Sequence, residues 1–103
     1  MNPFGNPQKL MKQLQQAQEK MQQEIAALRV EATSGGGMVQ VTMDGQKNLL
    51  SLKIDPEVVS KDDVEMLQDL ITAAVNEAAR NVDQSVQEKV GALSAGMKIP
   101  GMF

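Results

Sequence analysis

An α+β fold, a helix followed by a three-stranded antiparallel meander and then a second long helix, is what the hydropathy pattern of this 103-residue chain predicts. Three observations carry the expectation. Apolar residues recur at helical spacing from Leu10 to Leu28, they alternate at strand spacing from Val30 to Ile54, and they return to helical spacing from Val64 to Val82.

The first segment, "LMKQLQQAQEKMQQEIAAL" at residues 10–28, reads as a helix of nineteen residues, about 28 Å long at 1.5 Å per residue. Leu10, Leu14, Ala17, Met21, Ile25 and Leu28 follow one another at steps of three or four, so they share one face and point to a partner surface. Seven of the twelve glutamines lie between Gln8 and Gln23, beside that stripe. They favour helix without adding charge. Two uses fit them: a plain solvated face, or, together with lysine ammonium groups, a surface that hydrogen-bonds phosphates. Ahead of the helix, "MNPFGNP" at 1–7 carries two prolines and a glycine and reads as a loose arm.

Beyond Leu28 the period changes. Val30 and Ala32 fall on one side of a short strand over 30–34, "SGGG" supplies a reversal, and Val39, Val41 and Met43 fall on one face of the next strand. Asp44-Gly45 is a turn signal between strands. In "NLLSLKI" the expected apolar face is Leu50, Leu52 and Ile54, with Leu49, Ser51 and Lys53 opposite. So small a sheet is marginal in water and needs helices or a neighbour's strands against its apolar face.

Pro56 breaks the last strand, and Ser60 with Asp63 has the spacing of a helix cap. Asp62, Asp63 and Glu65 are expected in the first turn, where the helix dipole favours negative charge. Leu67, Ile71, Ala74, Ala78 and Val82 form the main stripe, widened by Leu70, Ala73, Val75 and Ala79, so this helix has more than one surface to pack against. Glu65, Asp69, Thr72, Asn76, Asp83 and Gln87 make a polar line facing water. Gly91 is the expected end. Residues 91–103 then read as a Gly- and Met-rich tail, in which Met97, Ile99, Met102 and Phe103 supply contacts for docking on this or a neighbouring subunit. The chain thus forms one domain over residues 1–103.

The only aromatics are Phe4 and Phe103, so the core rests on Leu, Val, Ile, Ala and eight methionines. With no cysteine or histidine to add disulfides or metal staples, such a core is thin, and association with a second chain is expected. No apolar run reaches the roughly 18 residues of a membrane span. The first ten residues lack the apolar centre of a secretory signal, so the expectation is a cytoplasmic protein without a membrane partner.

Composition leaves catalysis little to work with. Without His or Cys the commonest general base, the thiolate nucleophile and the usual transition-metal ligands are missing. The carboxylates are spaced for caps and a solvated face; a magnesium or acid/base site would need distant ones to converge. The glycines at 35–37 open a strand rather than a helix and no GK[ST] follows, so they read as turn glycines and not as a phosphate loop. Neither an enzyme, a cofactor nor a small-molecule substrate is expected, which leaves binding or scaffolding. Charge is polarised: residues 1–34 hold four cations against three anions, while residues 55–90 hold three cations against nine anions, in a chain of net charge −3.

Taken in order, "LMKQLQQAQEKMQQEIAAL", "SGGGMVQVTMDG", "LKIDPEVV", "DLITAAVNEAAR" and "MKIPGMF" resemble the YbaB/EbfC nucleoid-associated proteins of bacteria, from about residue 8 to the end. The resemblance implies an intertwined homodimer with projecting helices, likened to tweezers, that binds duplex DNA with little sequence preference and alters its conformation in the nucleoid. The partner-facing residues would then be Leu14, Met21, Ile25 and Leu28 of the first helix and Leu67, Ile71, Ala74 and Ala78 of the second. Phosphate neutralisation needs Lys or Arg. The candidates are Lys9, Lys12, Lys20 and Arg29, assigned to the first helix, with Lys47 beside the turn and Lys98 in the tail; Lys20 has Glu24 at pairing distance along the helix, and Lys12 has no acid in reach. No recognition-helix motif or aromatic platform suggests base readout. The acidic balance supports an alternative, a protein-interaction scaffold that does not work through DNA.

Overall fold

The computed structural model describes residues 6–96, and the side chains of residues 6–92. Helix α1 (Pro7–Ala26) is followed by strands β1 (Arg29–Ser34), β2 (Val39–Asp44) and β3 (Leu49–Ile54), and by helix α2 (Val64–Gly96). The strands form one antiparallel sheet in the order β1-β2-β3. This is the expected α+β succession, with the first strand six residues long.

Both ends of α1 differ from expectation. The Asn6 side chain accepts a hydrogen bond from the Gln8 N–H at 3.0 Å, and Pro7 takes the first helical position, where its missing N–H would lack an intrahelical partner anyway. Residues 6 and 7 therefore start the helix and are not part of a loose arm; residues 1–5 lie outside the described residues. At the other end Ala27 is the cap and Leu28 lies in the connection. Arg29, expected on the helix, opens β1, because the alternation that buries Ala32 and half-buries Val30 captures the chain there.

The glycines at 35–37 form a tight turn with φ of 59°, 70° and 95°, a left-handed run that glycine adopts without steric cost. That bears out their reading as turn residues. On β2, Val39, Val41 and Met43 are buried as expected. Opposite them on β1 stand Ser34, Ala32 and Val30, and on β3 Ile54, Leu52 and Leu49. The apolar face expected on β3 was Leu50, Leu52 and Ile54. An irregularity in the pairing at Thr42 and Met43 shifts the register, so that Leu49, and not Leu50, stands opposite Met43. A bulge moves every later side chain by one position, which alternation alone cannot show.

Helix α2 crosses β1 and β2. Ala74, Ala78 and Val82 meet Ala32, Val39, Val41 and Met43 in the core, flanked by Val30, Ile54, Leu67, Leu70, Ile71, Val75, Ala79 and Val86. Alanines at 74 and 78 have no bulk to hold the helix off the sheet, and both are wholly buried. The Ser34 hydroxyl donates to the Leu70 carbonyl at 2.5 Å and ties the end of β1 to the helix. Asp63, and not Ser60, caps α2: its carboxylate accepts the Met66 N–H at 3.1 Å. Ser60 Oγ instead accepts the Asp62 N–H in the preceding turn. Asp62 and Asp63 therefore precede the helix, and Glu65 alone of the three lies in its first turn.

Nor does the helix stop at Gly91. It continues to Gly96, since one interior glycine costs only about 1 kcal/mol relative to alanine, within reach of what neighbouring turns supply. The tail reading fails for 91–96, and residues 97–103 lie outside the described residues. The line Glu65, Asp69, Thr72, Asn76, Asp83 and Gln87 is exposed as expected.

Candidate nucleic-acid interface

Helix α1 buries none of its residues. It reaches out from the sheet and α2, in a subunit that measures 76 × 26 × 15 Å. At about 100° per residue, Lys9, Lys12 and Lys20 fall within an arc of about 80° on this helix, and Leu10, Leu14, Ala17, Met21 and Ile25 fall within another of similar width, the two centres about 140° apart. Gln13, Gln16 and Gln23 share the lysine side, and Glu19 and Glu24 border it. The three lysines span about 16 Å of helix.

All three are exposed. Among the described residues the ion pairs are Lys47 with Asp83 at 2.7 Å and Arg80 with Glu77 at 2.6 Å. Lys9, Lys12 and Lys20 therefore make none with the described residues, and the Lys20–Glu24 pairing considered from helical spacing does not form. Their ammonium groups are available to an external anion.

The other candidate cations are occupied differently. Arg29 Nη1 donates to the carbonyls of Ala26 at 3.0 Å and Leu28 at 2.8 Å, covering the end of α1. Lys47 adopts a left-handed φ of 64° in the turn after β2, and its ammonium is held by Asp83 of α2. Lys98 lies outside the described residues. The structure thus groups three of the six cations named from the sequence.

That turn is organised by Asp44, which is buried. Its carboxylate accepts the N–H groups of Gln46 at 2.9 Å and Asn48 at 2.8 Å, and the Asn48 side-chain amide at 3.1 Å. The Asn48 backbone bond is the largest influence holding its pKa below the ordinary 3.8; burial acts against it, and the remaining bonds and the Arg29 charge add to it. Gly45 is needed here for a reason the turn motif does not contain. A Cβ on it would lie 2.0 Å from the Ile25 carbonyl oxygen, so only glycine lets the end of α1 approach this closely.

Of the apolar residues expected to face a partner, Leu14 is exposed, and Met21, Ile25, Leu28, Leu67 and Ile71 are half-buried. Ala74 and Ala78 are corrected: both have no exposed surface in the subunit, because β1 and β2 already cover them. Sequence reasoning missed Leu49, Leu50 and Leu52, which remain 46%, 47% and 41% exposed on β3. The alternation marked this strand as apolar. That α2 stops short of it could not be read there.

A chain with this fold and an exposed lysine face can be compared with known proteins. The model of the YbaB/EbfC DNA-binding family matches residues 3–97. The chain belongs to that family. A nucleoid-associated protein of Koribacter versatilis is 53% identical over 96 residues, covering 93% of this chain and 95% of its own. One from Thermoanaerobacter pseudethanolicus is 48% identical over 101 residues, covering 95% and 91%. The crystal structure of the uncharacterized protein HP0035 from Helicobacter pylori superposes with a TM-score of 0.72 at 22% identity, covering 90% of this chain and 98% of that one. At that identity the likeness speaks for the fold alone. The family is a DNA-binding one, and the exposed lysine face of α1 is a candidate contact surface.

Proposed function

We propose that this chain is a nucleoid-associated protein that binds duplex DNA as a homodimer, with little sequence preference, by laying the lysine faces of two projecting α1 helices against phosphates. The observation that carries the reading is the set Lys9, Lys12 and Lys20, exposed, free of ion pairs among the described residues and on one side of a helix none of whose residues is fully buried. Phosphate contacts fix position without reading sequence. Two chains double the charge and give the duplex a grip on two sides, which bends or restrains it.

Dimerisation is supported by surface that one subunit leaves open. Leu49, Leu50 and Leu52 on β3 and Leu10, Met11 and Leu14 on α1 are all more than 40% exposed, and a two-fold partner is the commonest way to cover such surface. The names of the relatives place those proteins with the nucleoid, and this chain is assigned there by likeness. None of the helices among the described residues is long and apolar enough to cross a membrane.

The exposed acidic line of α2 favours one second reading, a scaffold for other proteins. A mobility-shift titration at low salt separates the two. DNA retarded by the native chain and released on replacing Lys9, Lys12 and Lys20 with Ala supports the grip; no retardation at low salt favours the scaffold. Sedimentation at micromolar protein tests the dimer independently, and a folded single subunit there rejects it.

A further inference from the structure

The end of the arm lies close against the turn between β2 and β3. Three contacts define that root. The Ile25 carbonyl and side chain sit on Gly45 so closely that a Cβ would fall 2.0 Å from the oxygen and 2.8 Å from Cγ2. Arg29 clasps the Ala26 and Leu28 carbonyls while standing directly across the strand pair from Asp44. Lys47 anchors the same turn to α2 through Asp83 at 2.7 Å. Neither helix dipole nor lysine face requires these contacts; what they define is direction.

We infer that Gly45 and Arg29 are positioning residues that set the angle at which α1 leaves the sheet, and through it the spacing of the two DNA-binding arms. The inference rests on the proposed grip for its consequence, but not for its geometry. Ordinary carbon contact begins at 3.4 Å, so a methyl at Gly45 must push the Ile25 carbonyl back by about 1.4 Å. Spread over one turn of helix, about 5.4 Å, that displacement tilts α1 by about 15°, and it moves Gln13, about 18 Å from Ile25, by about 5 Å. The arm is long enough to amplify a small change at its root. Loss of the Arg29 clasp acts differently: it releases the last carbonyls and widens the range of angles rather than shifting it.

The absence of cysteine from the chain makes the test direct. Cysteines placed at exposed Gln13 and Gln40 take a spin label each, and labelled chains are diluted in unlabelled ones so that only the distance within a protomer is read. The native chain should give one narrow distance. Gly45→Ala should shift it by up to about 5 Å, and Arg29→Ala should broaden it, with Arg29→Lys restoring much of the sharpness. Thermal melts followed by circular dichroism verify folding; should Gly45→Ala fail to fold, Arg29→Ala and Arg29→Lys decide. In both folded variants DNA affinity at low salt should fall by about tenfold or more, as simultaneous engagement of two arms is lost. Unchanged distance distributions overturn the positioning role. A moved arm with unchanged DNA affinity overturns its link to binding. Native protein that fails to bind DNA at any salt sinks the proposed function instead, while the distance measurement still judges the root.

Discussion

Salt dependence offers the sharpest reading of the lysine face, and Lys12→Ala is the perturbation. In the proposed two-armed complex, the three exposed lysines of each arm, which form no ion pair among the described residues, give six phosphate contacts. Each releases counterions, so log K should fall against log salt with a slope of about −5, a loss of about a thousandfold between 50 and 200 mM. Lys12→Ala removes one contact from each arm and should reduce the slope to about −3.6, leaving a loss of about 150-fold over the same range. Lys47→Ala is the matched control: it removes the same formal charge, but its ammonium is held at 2.7 Å by Asp83, so the slope should stay near the native one. Fluorescence anisotropy of a labelled duplex across salt measures all three. A native slope near zero, or an equal reduction by Lys47→Ala and Lys12→Ala, would refute the assignment of binding to the arm.

Further outcomes follow from packing and charge. Val82→Ala, at a position with no exposed surface, should lower stability by about 2 kcal/mol in chemical denaturation at fixed protein concentration. Leu52→Glu places a charge at a β3 position that is already 41% exposed, so it should leave helicity intact and halve the sedimenting mass if β3 faces the second chain. Gly91→Ala has open space around the new methyl and should raise stability by up to about 1 kcal/mol. For Asp44 the folded state holds the carboxylate below 3.8, so ionisation favours folding. That contribution is complete well above 3.8 and is lost as pH falls from there through the lowered folded value. The gap in melting temperature between native protein and Asp44→Asn should therefore be widest near neutrality and close in acid.

Much of this architecture was legible in one dimension because periodicity is a local property. The spacing of Leu10, Leu14 and Met21 marks a helix, the alternation of Val39, Val41 and Met43 marks a strand with one buried face, and positive φ at residues 35–37 is anticipated by three consecutive glycines. The lysines of the arm were equally visible, since nothing but their own helix positions them. The less regular sites were not. A bulge sets Leu49, and not Leu50, opposite Met43, and Asp63 caps a helix that Ser60 was expected to open.

Composition and hydropathy by themselves determined the succession of elements, the thin aliphatic core, the lack of the usual catalytic side chains and the greasy stripe on the first helix. Tertiary structure alone decided which apolar surface the subunit covers for itself: Ala74 and Ala78 disappear under β1 and β2, while Leu49 and Leu52 stay open. It also decided that Lys47 belongs to Asp83, 36 residues away, and that Gly45 exists to admit a helix end. The physical reason is that a repeat of hydrophobicity names the side of an element that avoids water, whereas what comes to lie against that side depends on how elements distant in the chain are placed.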